Sequence, residues 1–225
     1  MTTQTGKFFR SPSFKFMVIG ILSLLLLIPT AMIRSLINER ESRSEAARTE
    51  ISESWSLAQE ITGPYISIPV ETIKRERRED VVVYSTLHIM PEVLNVTSQV
   101  NPIEKHRGIF SSVVYDATIV LAGHFDLNNE EFEKLISSSS HTGKGFLSVG
   151  ISDLRGIGNG TSFRLNGMQA EILPGLYNHE VTRTGVHVPL KIGEMANQKR
   201  IAFEITLDIK GSNDLSFVPV GKTTM

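Results

Sequence analysis

IAFEITLDIK, residues Ile201–Lys210, alternates strictly between apolar and polar side chains. In a β-strand its apolar members would project from one face and its polar members from the other. The apolar set is Ile201, Phe203, Ile205, Leu207 and Ile209. One buried and one solvated face is typical of a strand in an antiparallel sheet. We therefore expect a mainly β fold of antiparallel sheets arranged like a sandwich.

The same period of two occurs along much of the preceding chain and once after it. Further strands are predicted at Tyr65–Val70, Val81–Ile89, Val93–Val100, Ile109–Leu121, Gly145–Ile151, Met168–Leu173, Val186–Leu190 and Leu215–Val220. The charged run Lys74–Asp80 lies between two of them and indicates a solvated hairpin tip. One short helix is expected after Asn128, a good N-cap, and it should end near Ser137. The segment Ser137–Gly145 is then predicted to be a loop.

An apolar run near the N-terminus, Phe16–Ile33, holds eighteen residues without a charge. At about 1.5 Å per residue a helix of this length just covers a hydrocarbon core of roughly 30 Å. A cleavable signal peptide is the alternative, but its apolar region would be shorter and would end in a small-x-small site. We therefore predict a transmembrane helix at 16–33 that contacts the lipid bilayer, after an N-terminal segment at 1–15. Basic residues flank both ends, so charge counting leaves the orientation open.

Residues 34–62 are predicted to continue as a charged helical stalk. Ala47, Ile51, Trp55 and Ala58 share one stripe at helical spacing. Gly63-Pro64 should end this helix, and the β-rich domain would then occupy residues 63–225.

Composition excludes several classes of function. The formal net charge of the 225 residues is −1, which gives no field to attract nucleic acid. The chain has no cysteine, which removes thiolate catalysis and cysteine metal sites. Gly221-Lys222-Thr223 resembles the end of a phosphate-binding loop, but Ser216 stands where that motif needs glycine. We therefore expect no nucleic acid, nucleotide, metal or other cofactor as a ligand, and no catalytic residue is assigned.

Two places remain as candidates for recognition. Asp153 and Arg155 stand together just after an apolar strand, where they would either bind a charged ligand or form an ion pair that fixes a loop. Trp55 on the stalk is a candidate contact for a protein partner. The glycines of Gly156–Gly160 do not have the spacing of a dinucleotide site and indicate a flexible turn. If the protein were instead an enzyme, its site would have to assemble in three dimensions from Asp153, His124, Asp126 and His187.

Several short motifs resemble, in the same order, those of the CreD family, the cell envelope integrity proteins of the bacterial inner membrane. They are Ser11-Pro12-Ser13-Phe14-Lys15, LLLLIP at Leu24–Pro29, Leu36-Ile37-Asn38-Glu39-Arg40, GPYISIPV at Gly63–Val70, His106-Arg107-Gly108-Ile109-Phe110, SVGISDLRGI at Ser148–Ile157, Gly185-Val186-His187-Val188-Pro189-Leu190 and GSNDLSFVPVGK at Gly211–Lys222.

The resemblance implies a cytoplasmic N-terminus, one crossing of the inner membrane and a large periplasmic domain. It also implies that the chain is the N-terminal part of a longer protein with further transmembrane helices. It supplies no catalytic residues. The expected function is therefore a non-enzymatic binding or scaffolding domain in envelope maintenance or stress response, with an envelope protein as its possible partner. An envelope-remodelling enzyme and a periplasmic sensor are the alternatives.

Overall fold

The computed structural model describes residues 12–76, 79–128, 130–137, 143–196 and 198–224. Three predicted segments therefore fall partly outside the described residues: the N-terminal segment 1–15, the hairpin tip at 74–80 and the loop at 137–145. The chain divides into two compact units, residues 1–50 and residues 51–225.

Helix α1 extends over Pro12–Trp55 and continues through Pro29. Among the described residues it is the one helix long and apolar enough to cross a membrane. Its apolar side chains in the predicted span are exposed, Leu24 by 70% and Leu26 by 69%, as lipid contact requires. Farther along, Arg43 and Glu39 form an ion pair at 2.7 Å with the i,i+4 spacing that supports an exposed helix.

The helical stalk was predicted over residues 34–62, but the helix ends before residue 62. Helix α1 ends at Trp55, and the first strand begins at Gln59. Gly63-Pro64, expected to end the helix, lies inside that strand, where the pairing shifts register between Thr62 and Tyr65. Ile61 is fully buried in the core. The tertiary contacts of Ile61 outweigh the helical spacing in the sequence after Trp55, so the chain forms a strand there.

The unit at 51–225 consists mainly of strands. In chain order they are β1 (Gln59–Glu76), β2 (Glu79–Ile89), β3 (Val93–Arg107), β4 (Phe110–Asp126), β5 (Lys144–Ile151), β6 (Ser162–Leu165), β7 (Met168–Ala170), β8 (Leu173–Pro174), β9 (Gly185–Lys191), β10 (Arg200–Ser212), β11 (Leu215–Val218) and β12 (Thr223–Thr224). Helix α2 (Glu130–Ser137) lies where the short helix was predicted, and a further helix, α3 (Ile192–Ala196), was not predicted.

These strands form two six-stranded sheets. The first has the order β11-β1-β5-β9-β8, with β2 also paired to β1, and the second has the order β12-β3-β4-β10-β6-β7. Most pairs are antiparallel, whereas β1–β11 and β3–β12 are parallel. The predicted strand at Met168–Leu173 is in fact two strands, because the chain passes there from the second sheet to the first. The antiparallel, mainly β fold is otherwise confirmed.

An apolar core lies between the two sheets. Ile66, Ile68 and Leu147 enter it from the first sheet and Leu121 and the apolar face of β10 from the second. All five predicted apolar residues of β10 are at most 4% exposed. The two sheets therefore share one hydrophobic layer, as the predicted sandwich requires.

Candidate functional site

Asp153 caps a short 3₁₀ turn, Leu154–Gly156, directly after β5. Its carboxylate accepts a hydrogen bond from Arg155 Nε at 3.0 Å and from Nη2 at 2.8 Å, and it also accepts one from the Arg155 backbone N–H at 3.1 Å. The two residues singled out in the sequence thus form a bidentate ion pair. The Asp153 side chain is 11% exposed and that of Arg155 is 56% exposed, so the carboxylate faces inward.

The inward side of the Asp153 carboxylate holds the residues that follow α1. Oδ2 accepts hydrogen bonds from Ser56 Oγ and from the Leu57 backbone N–H, both at 3.0 Å. Gln59, itself 1% exposed, donates from Nε2 to the carbonyl oxygens of Asp153 at 2.9 Å and of Lys210 at 3.0 Å. Ser56, Leu57, Gln59, Asp153 and Arg155 together are called the joint below. It fastens the end of α1 to β5 and β10.

Electrostatics keep Asp153 ionised. Arg155 is the main cause that holds the pKa of this carboxyl well below its ordinary value of 3.8; burial opposes it, while the Leu57 and Arg155 N–H groups and the Ser56 hydroxyl add to the lowering. A carboxylate with this many donors has little capacity to accept a further ligand or a proton. Of the two readings of the sequence, this geometry favours the ion pair that fixes a loop.

The glycines after Asp153 allow close packing. A Cβ on Gly156 would overlap the Lys210 carbonyl oxygen and Gln59 Nε2. The Gly158 N–H donates to the Asp208 carbonyl oxygen at 2.7 Å, and a Cβ there would overlap the Asp208 carboxylate. The segment predicted to be a flexible turn is therefore packed against β10, because glycine lets two backbones approach closely.

Trp55, the last residue of α1, has two lysine side chains over its indole ring. Lys105 Nζ is 4.7 Å and Lys210 Nζ 4.8 Å from the ring centroid, within cation–π range. The indole Nε1 donates to the Tyr115 carbonyl oxygen at 3.3 Å. Beside the ring is a groove of about 240 Å³, called the Trp55 groove below. It is lined by Ile51, Ser54, Trp55, Lys105, His106 and Arg107.

The residues considered for an enzymatic site are not brought together. His124 and Asp126 lie on β4 of the second sheet, whereas His187 lies on β9 of the first, where its Nδ1 bonds the Gly175 carbonyl oxygen at 2.8 Å. Asp153 is held in the joint. The four residues therefore do not form the acid–base constellation that the alternative needs.

A different histidine forms a relay that sequence reasoning missed. Ser67 Oγ and His88 Nδ1 are 3.0 Å apart, and His88 Nε2 is 2.8 Å from Glu180 Oε2. Ser67 is only 1% exposed, so its hydroxyl is not open to a substrate. Neighbouring Tyr65 is also buried, which raises its pKa to about 12 despite the opposing effect of Ser148. The relay fixes the segment that carries Glu180 onto the first sheet.

A second, larger cleft lies between β6–β7 and β9–α3. It has a volume of about 360 Å³, with Val188, Met195 and Ile201 among its apolar lining and Lys191 and Glu194 among its polar lining. Lys191 Nζ and Glu194 Oε1 form an ion pair at 3.1 Å, so the two charges compensate each other. Glu171 also lines the cleft, so its charged lining is two carboxylates and one lysine.

Comparisons with known proteins agree with the resemblance found in the sequence. The family model described as inner membrane protein CreD matches residues 11–225. The chain is 33% identical over 205 residues to the inner membrane protein CreD of Escherichia coli (strain K12). The match covers 89% of this chain and 45% of that relative. The chain therefore spans less than half the length of the relative.

Proposed function

The chain belongs to the CreD family of inner membrane proteins, and from that premise we propose that it is a membrane-anchored, non-enzymatic binding or scaffolding domain in envelope maintenance. Residues 16–33 would hold it in the bilayer, with the N-terminus in the cytoplasm and the β domain in the periplasm. Its partner would be an envelope protein that contacts the surface around Trp55 and Arg155.

The joint is the observation that carries this proposal. The charged pair that stands out in the sequence is engaged in fastening the end of α1 to the sheets, with Asp153 bonded to Ser56 and Leu57. These bonds hold Ser56 and Leu57 against the β domain, and the surface around Trp55 and Arg155 beside them is where a partner would bind. The exposed side chain of Arg155, itself part of the joint, and the Trp55 groove would offer the contact surface.

Photo-crosslinking in cells tests the proposal. A photoreactive residue at 155 and another at 55 should each capture the same discrete envelope protein, identified by mass spectrometry. Met168 is 72% exposed on β7, at the edge of the second sheet, and a probe there is the matched control. Capture at 168 equal to that at 55 and 155, or no discrete product at either, would contradict the proposed contact surface.

The enzymatic alternative is tested by two alanine variants. His124→Ala removes the histidine proposed from the sequence, and Ser67→Ala removes the hydroxyl of the relay. A scaffold keeps its function in cells with either change as long as circular dichroism shows the sheets intact. Loss of function in a fully folded Ser67→Ala protein would instead indicate catalysis.

A sensor is the second candidate, because the joint ties the residues that directly follow α1 to Asp153 and to the β10 backbone. Since α1 continues as one helix over Pro12–Trp55, inserting single alanines after Arg34 rotates one end of the helix relative to the other by about 100° each. A sensor should lose and regain its response with this helical period. A scaffold should show no such period.

The proposed orientation is tested by single-cysteine labelling, since the native chain contains no cysteine. In cells with a permeable outer membrane, Met168→Cys should react with a membrane-impermeant maleimide. Thr3→Cys should react only after the inner membrane is lysed. The opposite pattern would place the β domain in the cytoplasm.

A further inference from the structure

The cleft between β6–β7 and β9–α3, called the β9 cleft below, contains a free strand edge. On one side β9 is paired with β5 along its whole length, from Gly185 to Lys191. On the other side β8 pairs only with Val186 and His187. No other strand among the described residues covers β9 on that side. The segment from Val188 to Lys191 lines the cleft instead.

Two hydrogen bonds show which way the backbone groups of β9 point. The Gly185 carbonyl oxygen accepts from the Gly175 N–H at 2.9 Å, on the β8 side. The N–H of Ile192, directly after β9, donates to the Gly143 carbonyl oxygen at 3.2 Å, on the β5 side. Because the backbone groups of successive residues in a strand point to alternate sides, the odd-numbered residues of β9 face away from β5.

Two backbone groups are therefore directed toward the β9 cleft. They are the carbonyl oxygen of Pro189, which has no N–H, and the N–H of Lys191. In a parallel ladder, one added residue opposite Leu190 would donate its N–H to the first group and accept from the second. In an antiparallel ladder, the residue opposite Pro189 would keep an unpaired carbonyl group. The edge thus fits one residue of an extended chain that runs parallel to β9.

The interior of the β9 cleft is apolar. Residues directly opposite each other in paired strands have their side chains on the same face of the sheet, so the added residue would point the same way as Leu190. Leu190 packs against the hydrophobic core. Val188 and Ile201, each 4% exposed, also line the cleft. The side chain of the added residue is therefore expected to be apolar.

The charges of the β9 cleft favour a basic residue near that apolar one. Its charged lining consists of Glu171, Lys191 and Glu194. Lys191 is paired with Glu194 at 3.1 Å. Glu171 is exposed and has no ion pair with any other residue that the structure describes. One carboxylate is thus left uncompensated, and a lysine or arginine would complement it.

From these features we propose that the β9 cleft binds an extended peptide segment of another protein, added to β9 as a parallel strand. The segment places an apolar side chain beside Leu190 and a lysine or arginine within two positions of it, at Glu171. In strand addition the main-chain hydrogen bonds provide affinity and the pockets for alternate side chains provide specificity.

The β9 cleft shares no residue with the Trp55 groove, and this proposal does not rest on the partner proposed above. Met168 lines the cleft. A photoreactive residue at 168 should therefore capture a protein other than the one captured at residues 55 and 155.

Selection of random heptapeptides displayed on phage tests the proposal, with the full chain in neutral detergent as the target. The enriched peptides should share an apolar residue with a lysine or arginine within two positions, and a labelled synthetic peptide of that consensus should bind saturably in fluorescence anisotropy. Enrichment no greater than on detergent alone, or a consensus without a basic residue, overturns the proposal. Light scattering that shows a dimer of the chain dissociated by the peptide also overturns it, because a second copy would then occupy the cleft.

Two variants at one position separate backbone pairing from side-chain effects. Lys191→Pro removes the free N–H without breaking a bond to β5, and proline is tolerated at a strand edge. It should weaken binding of the consensus peptide by about tenfold or more. The matched control Lys191→Ala removes the same side chain and keeps the N–H, and it leaves Glu194 uncompensated, so the affinity should not fall. An equal loss in the two variants, or undiminished binding by a folded Lys191→Pro protein, overturns the proposal.

Glu171→Gln tests the charge and decides the question if Lys191→Pro does not fold, because it changes only an exposed side chain. Binding of the consensus peptide should weaken by up to about fivefold, the usual limit for an exposed ion pair. Binding of the same peptide with norleucine in place of its basic residue should not change. A preference for the basic peptide that persists in Glu171→Gln overturns the proposal.

Discussion

Replacing Asp153 with alanine tests whether the joint stabilises the domain through its hydrogen bonds. The change removes the acceptor of the Ser56 hydroxyl and of the Leu57 N–H, each now 3.0 Å from Oδ2. Ser56 is fully buried, so water cannot replace the lost partner at that hydroxyl. The Arg155 side chain is 56% exposed and can be hydrated once the carboxylate is gone.

The expected loss of stability follows from this difference in exposure between Ser56 and Arg155. A buried polar group left without a partner costs about 1–3 kcal/mol, and the more exposed Leu57 N–H falls at the lower end of that range. Loss of the ion pair with an exposed arginine adds only about 0–1 kcal/mol. We therefore expect Asp153→Ala to lower the free energy of unfolding by about 2–4 kcal/mol. The matched control, Arg155→Gln, keeps the Ser56 and Leu57 bonds and should cost about 1 kcal/mol or less.

The assay is urea unfolding of the full chain in neutral detergent, followed by both Trp55 emission and far-ultraviolet circular dichroism. Trp55 reports on the end of α1, while circular dichroism reports on the sheets. If Asp153→Ala merely released the helix end, the two transitions would separate; if the joint is part of the cooperative unit, they shift together. Equal losses in Asp153→Ala and Arg155→Gln would refute the reasoning, because the exposed pair would then carry the stability.

Three further predictions concern the same fold. The pKa of Asp153 is lowered in the folded state, so its contribution to stability is present above its ordinary pKa of 3.8 and is lost as the pH falls below that value. The urea concentration at the midpoint of unfolding should therefore decrease at acid pH, and Asp153→Asn should show a smaller decrease. Gly156→Ala should lower the free energy of unfolding by about 1–3 kcal/mol or more through overpacking, whereas Gly193→Ala, with no atom within 4 Å of the added Cβ, should stay within about 1 kcal/mol in the same assay. His88→Ala removes the 2.8 Å contact with Glu180 and should speed amide hydrogen exchange in residues 175–184 while exchange in β10 is unchanged.

The strands that have one buried and one solvated face were predicted at close to their full length. The strands without this division were predicted to be shorter than they are. β10 was placed to within two residues at each end because its alternation reflects a real division between core and solvent. β3 was predicted to end at Val100 but continues to Arg107. Its distal half is largely exposed on both faces and is held by backbone pairing with β4, which leaves no alternation to detect. The segment after Trp55 shows the converse limit, since helical spacing cannot reveal where tertiary contacts end a helix.

The site was predictable only where its members are close along the chain. Asp153 and Arg155 were recognised as a pair, but Ser56 and Gln59 lie more than ninety positions from Asp153, and nothing local links them. The Ser67–His88 contact is a different case. Both residues lie at equal distances from the centre of the hairpin that joins β1 to β2, and the register pairs them directly. The charged run Lys74–Asp80 is centred on residue 77, and a turn centred there would pair Ser67 with Leu87, so the run misses the observed register by one residue.

The direction of the Asp153 pKa bears on what the conspicuous motif around it does. A carboxyl that works as a general acid or base needs a pKa near the working pH, which proteins achieve by burial without a compensating cation. Here Arg155 and two backbone N–H groups move the pKa of Asp153 the opposite way. The Asp153 carboxylate therefore stays ionised, and an ionised acceptor makes the stronger hydrogen bonds that hold the end of α1. Gly156, which admits no side chain between β10 and Gln59, serves the same packing. Both features of the motif are explained by holding the end of α1 in place, which argues for a domain whose function depends on position and surface contacts.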